Sequence, residues 1–153
     1  MGAKLSIDIN KLKSSTEAAK KDLLLQSQEF VKAVTIDAWR FITANSLSVG
    51  IQFGSPVLTG QYYTNHRIRV NGIDTSVTYL ANPDPDKPVA GLPLTKAVLE
   101  LTKFKLGDSI TISNSLPYAQ RLEEGWSKFK APEGIYQIAV DRINVKYGKG
   151  LKL

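Results

Sequence analysis

Cysteine is absent from the chain and histidine occurs once, at His66. The first absence removes disulfides, thiolate metal sites and cysteine nucleophiles, and fits a reducing compartment. The second leaves a histidine-based metal or proton-transfer site short of partners, so His66 reads as a structural residue on the less charged face of a strand. No apolar run approaches the roughly 18 residues a membrane helix needs, and the polar start predicts no signal peptide. A soluble cytoplasmic product is the expectation. The nucleophile-elbow pattern Gly-x-Ser-x-Gly is missing, and the lysine of a phosphate loop does not follow Gly50-x-x-x-Gly54. There are no internal repeats or low-complexity segments.

Two further arrangements fall short of chemistry. Asn82, Asp84 and Asp86 alternate like the opening of a calcium loop, but Lys87 and Pro93 stand where the turn glycine and the bidentate carboxylate belong. Glu123 and Glu124 are neighbours on a short helix and point about 100° apart, so they do not converge on one atom. No catalytic residue, cofactor or metal is predicted. The start Met1-Gly2-x-x-x-Ser6 matches a myristoylation pattern and is read as a start codon followed by a small residue.

At 153 residues with 42% hydrophobic content, one domain with a single core is expected. The net charge of +6, from 20 basic and 14 acidic side chains, makes an anionic partner plausible. Its lysines and arginines are spread along the chain, as on a solvated face, rather than blocked together. A small basic nucleic-acid-binding module is therefore the competing reading. It predicts affinity that falls steeply with salt.

Glycine and proline are also missing from residues 10–45, where Leu12, Leu23, Phe30, Val34, Ala38 and Phe41 recur at helical intervals beside Leu24, Val31 and Ile42. Two readings of the helix start are open: a continuous helix, or one opened by a Ser14-x-x-Glu17 capping box with residues 1–13 as an arm. Uninterrupted, it would run about 50 Å, longer than a small domain is wide. Part of it would then reach a neighbour; a kinked helix packed on its own sheet is the alternative. Residues 62–70 alternate as a strand, Asn71-Gly72 is a preferred hairpin turn, and residues 73–80 return as the partner strand.

Three prolines and one glycine make residues 82–92 a proline-rich loop. Residues 95–103 are preferred as a helix capped by Thr95, with Ala97, Val98 and Leu101 on one face. A strand at residues 109–114 is closed by Asn114 and Pro117, a short helix spans residues 118–124, and Gly125 stops it. Pro132 opens the last helix, which carries Tyr136, Val140 and Ile143 before a flexible basic tail at residues 146–153. Trp126, beside Lys128, Phe129 and Lys130, is either tucked into the core or displayed to a partner, and display is favoured. The architecture is α+β: a long N-terminal helix and a C-terminal helix packed on a small, mainly antiparallel sheet.

Asn114-x-x-Pro117-Tyr118-Ala119-x-x-Leu122-Glu123-x-Gly125, followed by Trp126-Ser127-Lys128 and Ala131-Pro132-x-Gly134, resembles the minor tail, or tail-completion, proteins of long-tailed bacteriophages. A second block, Ser55-Pro56-Val57-x-Thr59-Gly60, is similar to the segment between the long helix and the first strand of that family, and Leu106-Gly107-Asp108 falls between the two blocks. The resemblance implies a structural virion protein, assembled in the host cytoplasm. It would be a ring subunit, usually hexameric, that joins tail to head around the passing double-stranded DNA. The implied partners are copies of the chain, the tail-tube or tail-terminator protein and the head connector, with DNA contacted without sequence readout and no membrane involved. The implied interface residues are Pro56, Thr59, Gly60, Asn114, Pro117, Tyr118, Glu123, Gly125, Trp126, Lys128, Phe129, Lys130 and Pro132.

Overall fold

The glycine- and proline-free stretch forms one helix, α1 (Ile9–Ile42), 34 residues long. The computed structural model describes residues 8–43, 55, 60–81, 94–126 and 131–148. The start of α1 is set by Asp8, whose Oδ1 accepts from the N–H groups of Asn10 and Lys11 at 3.0 and 3.1 Å. Ser14 therefore does not open the helix, and residues 9–13 belong to it rather than to an arm. Ser14, Ser15 and Thr16 instead turn their hydroxyls back to the carbonyls of Lys11 and Leu12, a bonding pattern a helix interior tolerates.

Among the described residues the sheet has two strands, β1 (Arg67–Val70) and β2 (Ile110–Ser113), paired antiparallel from Arg67↔Ser113 to Val70↔Ile110. This corrects the expected hairpin. Asn71 does take a positive φ of 55°, but residues 73–80 form no ladder. Side chains hold them instead. The Asn65 amide both donates to the Thr78 carbonyl and accepts the Thr78 N–H, and the Gln61 amide spans the Thr78 carbonyl and the Leu80 N–H. Arg67 places its five N–H groups on Ser76, Thr64, His66, Asn65 and Thr78. The strand expected from residue 62 starts later, because Tyr63–Asn65 is a 3-10 turn.

Helix α2 (Leu94–Leu101) begins one residue before Thr95, which therefore lies inside the helix and does not cap it. Ala97 and Leu101 are buried, whereas Val98 is exposed and leaves the shared face expected of it. A short helix, α3 (Ala119–Glu123), follows β2, and α4 (Tyr136–Tyr147) closes the described chain. Pro132 sits in a turn ahead of α4 rather than in its first turn. Lys146 and Tyr147 belong to α4 and not to a flexible tail, since both bond the Asp37 carboxylate of α1. Those bonds hold the Asp37 carboxyl below its usual range, with Lys146 the larger cause and Tyr147 the next.

Among the described residues, two apolar clusters fix these elements. Ile42, Tyr62, Leu116, Ala131, Ile135 and Ala139 join α1 to α4 and the α3 approach. Trp39, Ile68, Ala97 and Leu101 join α1 to β1 and α2. Each large side chain buried this way contributes roughly 1.5–3 kcal/mol. Both clusters draw on the last turns of α1, so the C-terminal end of the long helix is its anchored end.

Candidate functional site

Among the described residues, the buried junction of α1, β1 and α4 holds a grouping that invites a catalytic reading. Ser55 Oγ lies 2.5 Å from His66 Nε2, and His66 Nδ1 lies 2.8 Å from the Tyr136 hydroxyl. Ser55 Oγ also donates to the Ile42 carbonyl at 2.7 Å. Its proton is thus committed, which makes Nε2–H the donor to Ser55 and leaves Nδ1 to accept from Tyr136. A nucleophilic serine needs the opposite polarity, with its proton given to the imidazole. Ser55 is 0% exposed and His66 2%, so both polar groups sit away from solvent. Burial, with a smaller push from the Arg67 charge, lowers the His66 pKa to about 3. Burial also drives the Tyr136 hydroxyl well above the usual phenol range. The grouping closes the C-terminus of α1, where Ser55 also donates its N–H to the Ile42 carbonyl.

Around α3 and α4 the described residues of the block at 114–134 form a corner. The Glu123 carboxylate accepts from the N–H groups of Ile135, Tyr136 and Gln137 at 2.9, 3.0 and 2.8 Å. A negative charge on the open N–H groups of a helix start is favoured both by hydrogen bonding and by the helix dipole. Gly125, at φ 76°, crosses so close to this turn that an added Cβ would stand 2.4 Å from the Pro132 carbonyl oxygen. Gly125→Ala is accordingly expected to cost roughly 2–4 kcal/mol, read as a lower midpoint in a urea melt. An unchanged midpoint would show that the corner does not close as described.

The other implied interface residues divide between interior and surface. Gly60 is buried. Asn114 donates to the Tyr62 carbonyl at 2.9 Å and accepts the Leu116 N–H, so its side chain shapes the exit from β2. Pro117 and Pro132 are exposed, and Tyr118 is at the edge of exposure, 6.3 Å from the Tyr62 ring. Trp126 is 69% exposed, with the Arg121 guanidinium 5.2 Å over its ring. Of the two tryptophans, Trp39 is core and Trp126 is displayed. Arg121, Glu124 and Trp126 line a cleft of about 350 Å³. Pro56, Thr59, Lys128, Phe129 and Lys130 lie outside the described residues, as do the proline-rich loop, the calcium-like acidic positions and the myristoylation pattern.

Helix α1 carries a long run of exposed apolar side chains. Every residue from 8 to 26 is exposed. That surface includes Ile9, Leu12, Leu23, Leu24 and Leu25, with Phe30 following at 53% exposure. Tertiary contact begins where Gln28 donates to the Phe104 carbonyl and Phe30 meets Tyr147 edge-on at 5.5 Å. About 27 Å of helix therefore extends beyond the last contact. Sequence periodicity found Leu12, Leu23 and Leu24, though not Leu25, and could not tell a covered stripe from an uncovered one. It missed Trp39, the most buried large residue of α1, and the capping role of Glu123, whose partners lie 12 to 14 positions away.

Among the described residues, no group of three His, Cys, Asp or Glu side chains is placed to hold a metal, and no helix is long and apolar enough to cross a membrane. Compared with family models, curated proteins and solved structures, the chain matches none.

Proposed function

We propose that the chain is a structural assembly subunit. On the strength of the two sequence blocks it is a tail-completion protein of a long-tailed bacteriophage, forming a ring between tail and head around the DNA passage. The observation that carries the assembly reading is the uncovered half of α1. It holds Ile9, Leu12, Leu23, Leu24 and Leu25 in water, where each would gain roughly 1.5–3 kcal/mol on burial against a partner. A closed ring requires two different complementary patches on each subunit. The α1 overhang supplies one candidate, and the Trp126 corner, with Arg121 and Glu124 beside it, supplies the other. Any contact with DNA is to its phosphates and carries no sequence information.

The first test is to silence the gene in its source genome, induce particles and count head and tail species by negative-stain electron microscopy. Filled heads beside detached or irregular tails are expected. Intact particles in normal number would overturn the reading and bring forward the basic nucleic-acid module. A second test uses the protein alone. Leu12→Asp with Leu23→Asp should leave folding stability within about 0.5 kcal/mol of the parent, because both sites are exposed. Trp126→Ala should behave likewise. Either change should weaken particle assembly by tenfold or more, the size of effect that interface anchors show. Normal assembly by both variants would remove these surfaces from the interface.

A further inference from the structure

The turn that leaves β1 carries an Asn-Gly pair, and it is hydrogen-bonded to the turn before β2. Asn71 is exposed and lies at φ 55°. Its N–H donates to the Ser109 carbonyl at 2.9 Å, and its side-chain Oδ1 accepts the Ser109 N–H at 3.1 Å. The side chain thus stands in for the main-chain carbonyl and extends the β1–β2 ladder by one pair. The Asn71 Nδ2 donates to Asp108 Oδ1 at 2.8 Å, while Asp108 Oδ2 accepts the Lys105 N–H at 2.8 Å. The bond from Asn71, with the Lys105 N–H second, holds the Asp108 carboxyl below its usual range. The Gly72 N–H has no hydrogen-bond partner among the described residues.

We propose that Asn71–Gly72 is a self-modification site, and that Asp108 and Ser109 set its rate by holding the Asn71 side chain away from the Gly72 nitrogen. Glycine offers the least hindered backbone nitrogen of any residue. In the reaction that nitrogen attacks Asn71 Cγ and closes a cyclic imide. The Cγ–Nδ2 bond breaks, and ammonia leaves with the proton from the Gly72 nitrogen. Water then opens the imide at either carbonyl, leaving aspartate or isoaspartate. The product is poorly tolerated where it forms. A donor to Asp108 has become a second carboxylate at hydrogen-bond distance from the first, and like charges so placed repel. Conversion therefore loosens the joint between β1 and β2 and marks aged or once-opened molecules.

The test ages the purified full chain at mildly alkaline pH and follows isoaspartate at position 71 by peptide mapping and mass spectrometry. Asp108→Ala removes one of the two side-chain restraints and should speed conversion about tenfold, by making the open turn more populated. Equal rates in parent and variant would overturn the proposal. Two further variants decide the matter independently of that substitution's effect on folding. Asn71→Asp should lower the thermal midpoint, and adding Asp108→Asn should restore most of the loss. An Asn71→Asp midpoint equal to the parent's, or a double variant no better than the single, would also overturn it.

Discussion

Between pH 6.5 and 4.5 the protein is expected to lose about 2 kcal/mol of folding stability through one residue, His66. The sign follows from its burial. In the unfolded chain the imidazole takes a proton near pH 6.5, but in the fold it resists protonation down to about pH 3. Stability is complete above 6.5 and falls by roughly 1.4 kcal/mol per pH unit below it, until the folded pKa is reached. Protonation also breaks the local bonding. The imidazole Nδ1 can no longer accept from Tyr136, and a charge is left with little water in reach.

The carboxylates held low in the fold, Asp37, Asp74, Glu100 and Asp108, act in the same direction but in a lower window. Their contributions are complete above the unfolded carboxyl range, near 4, and are lost as the pH falls from that range through their depressed values. The interval from 6.5 to 4.5 therefore isolates His66. Guanidinium melts across that interval should slope with pH in the parent and run flat in His66→Gln. That variant also starts lower at neutral pH, having lost part of the buried network. Parallel slopes in the two proteins would show that His66 is not the titrating group.

Glu123→Ala is the second large effect expected, at about 3 kcal/mol. Three backbone N–H groups lose a charged acceptor at once. Hydrogen bonds to an ionised group contribute about 1.5–3 kcal/mol each when isolated, but water re-solvates the more exposed of the three, so the sum is not reached. For a chain of this size the thermal midpoint should fall by roughly 6–12 °C. Glu123→Gln keeps one acceptor oxygen and loses the charge facing the helix dipole, so it should recover about half of the loss. If alanine and glutamine behave alike and both melt with the parent, the carboxylate does not cap α4.

The sequence was legible where structure is decided locally. Lack of glycine and proline made α1, Gly125 ended α3, and proline after Asn114 ended β2. The α+β class followed from these elements. The partner of β1 was not legible, because Asn71-Gly72 satisfies every local rule for a hairpin and the competing bond reaches across 38 residues to Ser109. Residues 73–80 have the alternation of a strand, yet amide side chains at 61 and 65 occupy the peptide groups that a ladder would have used. The same distance hid Glu123 as a cap. Trp126 stood out as an aromatic in a loop, but only packing could place it outside and Trp39 inside. Likewise, the leucines of α1 have the same spacing whether or not a second surface covers them.

The uncovered half of α1 has a thermal consequence. An isolated helix of its length is marginal in water, because the first turn is costly to nucleate. Here the nucleus is supplied by the anchored turns around Trp39 and Ile42, so each further residue needs only a propagation step close to neutral. The free half should therefore unwind gradually from Asp8 as temperature rises, and ellipticity at the helix band should drift down before the cooperative melt begins. A partner seated on Leu12 and Leu23 would remove that drift. The slope of the pre-transition baseline thus reports occupancy of the arm without any label.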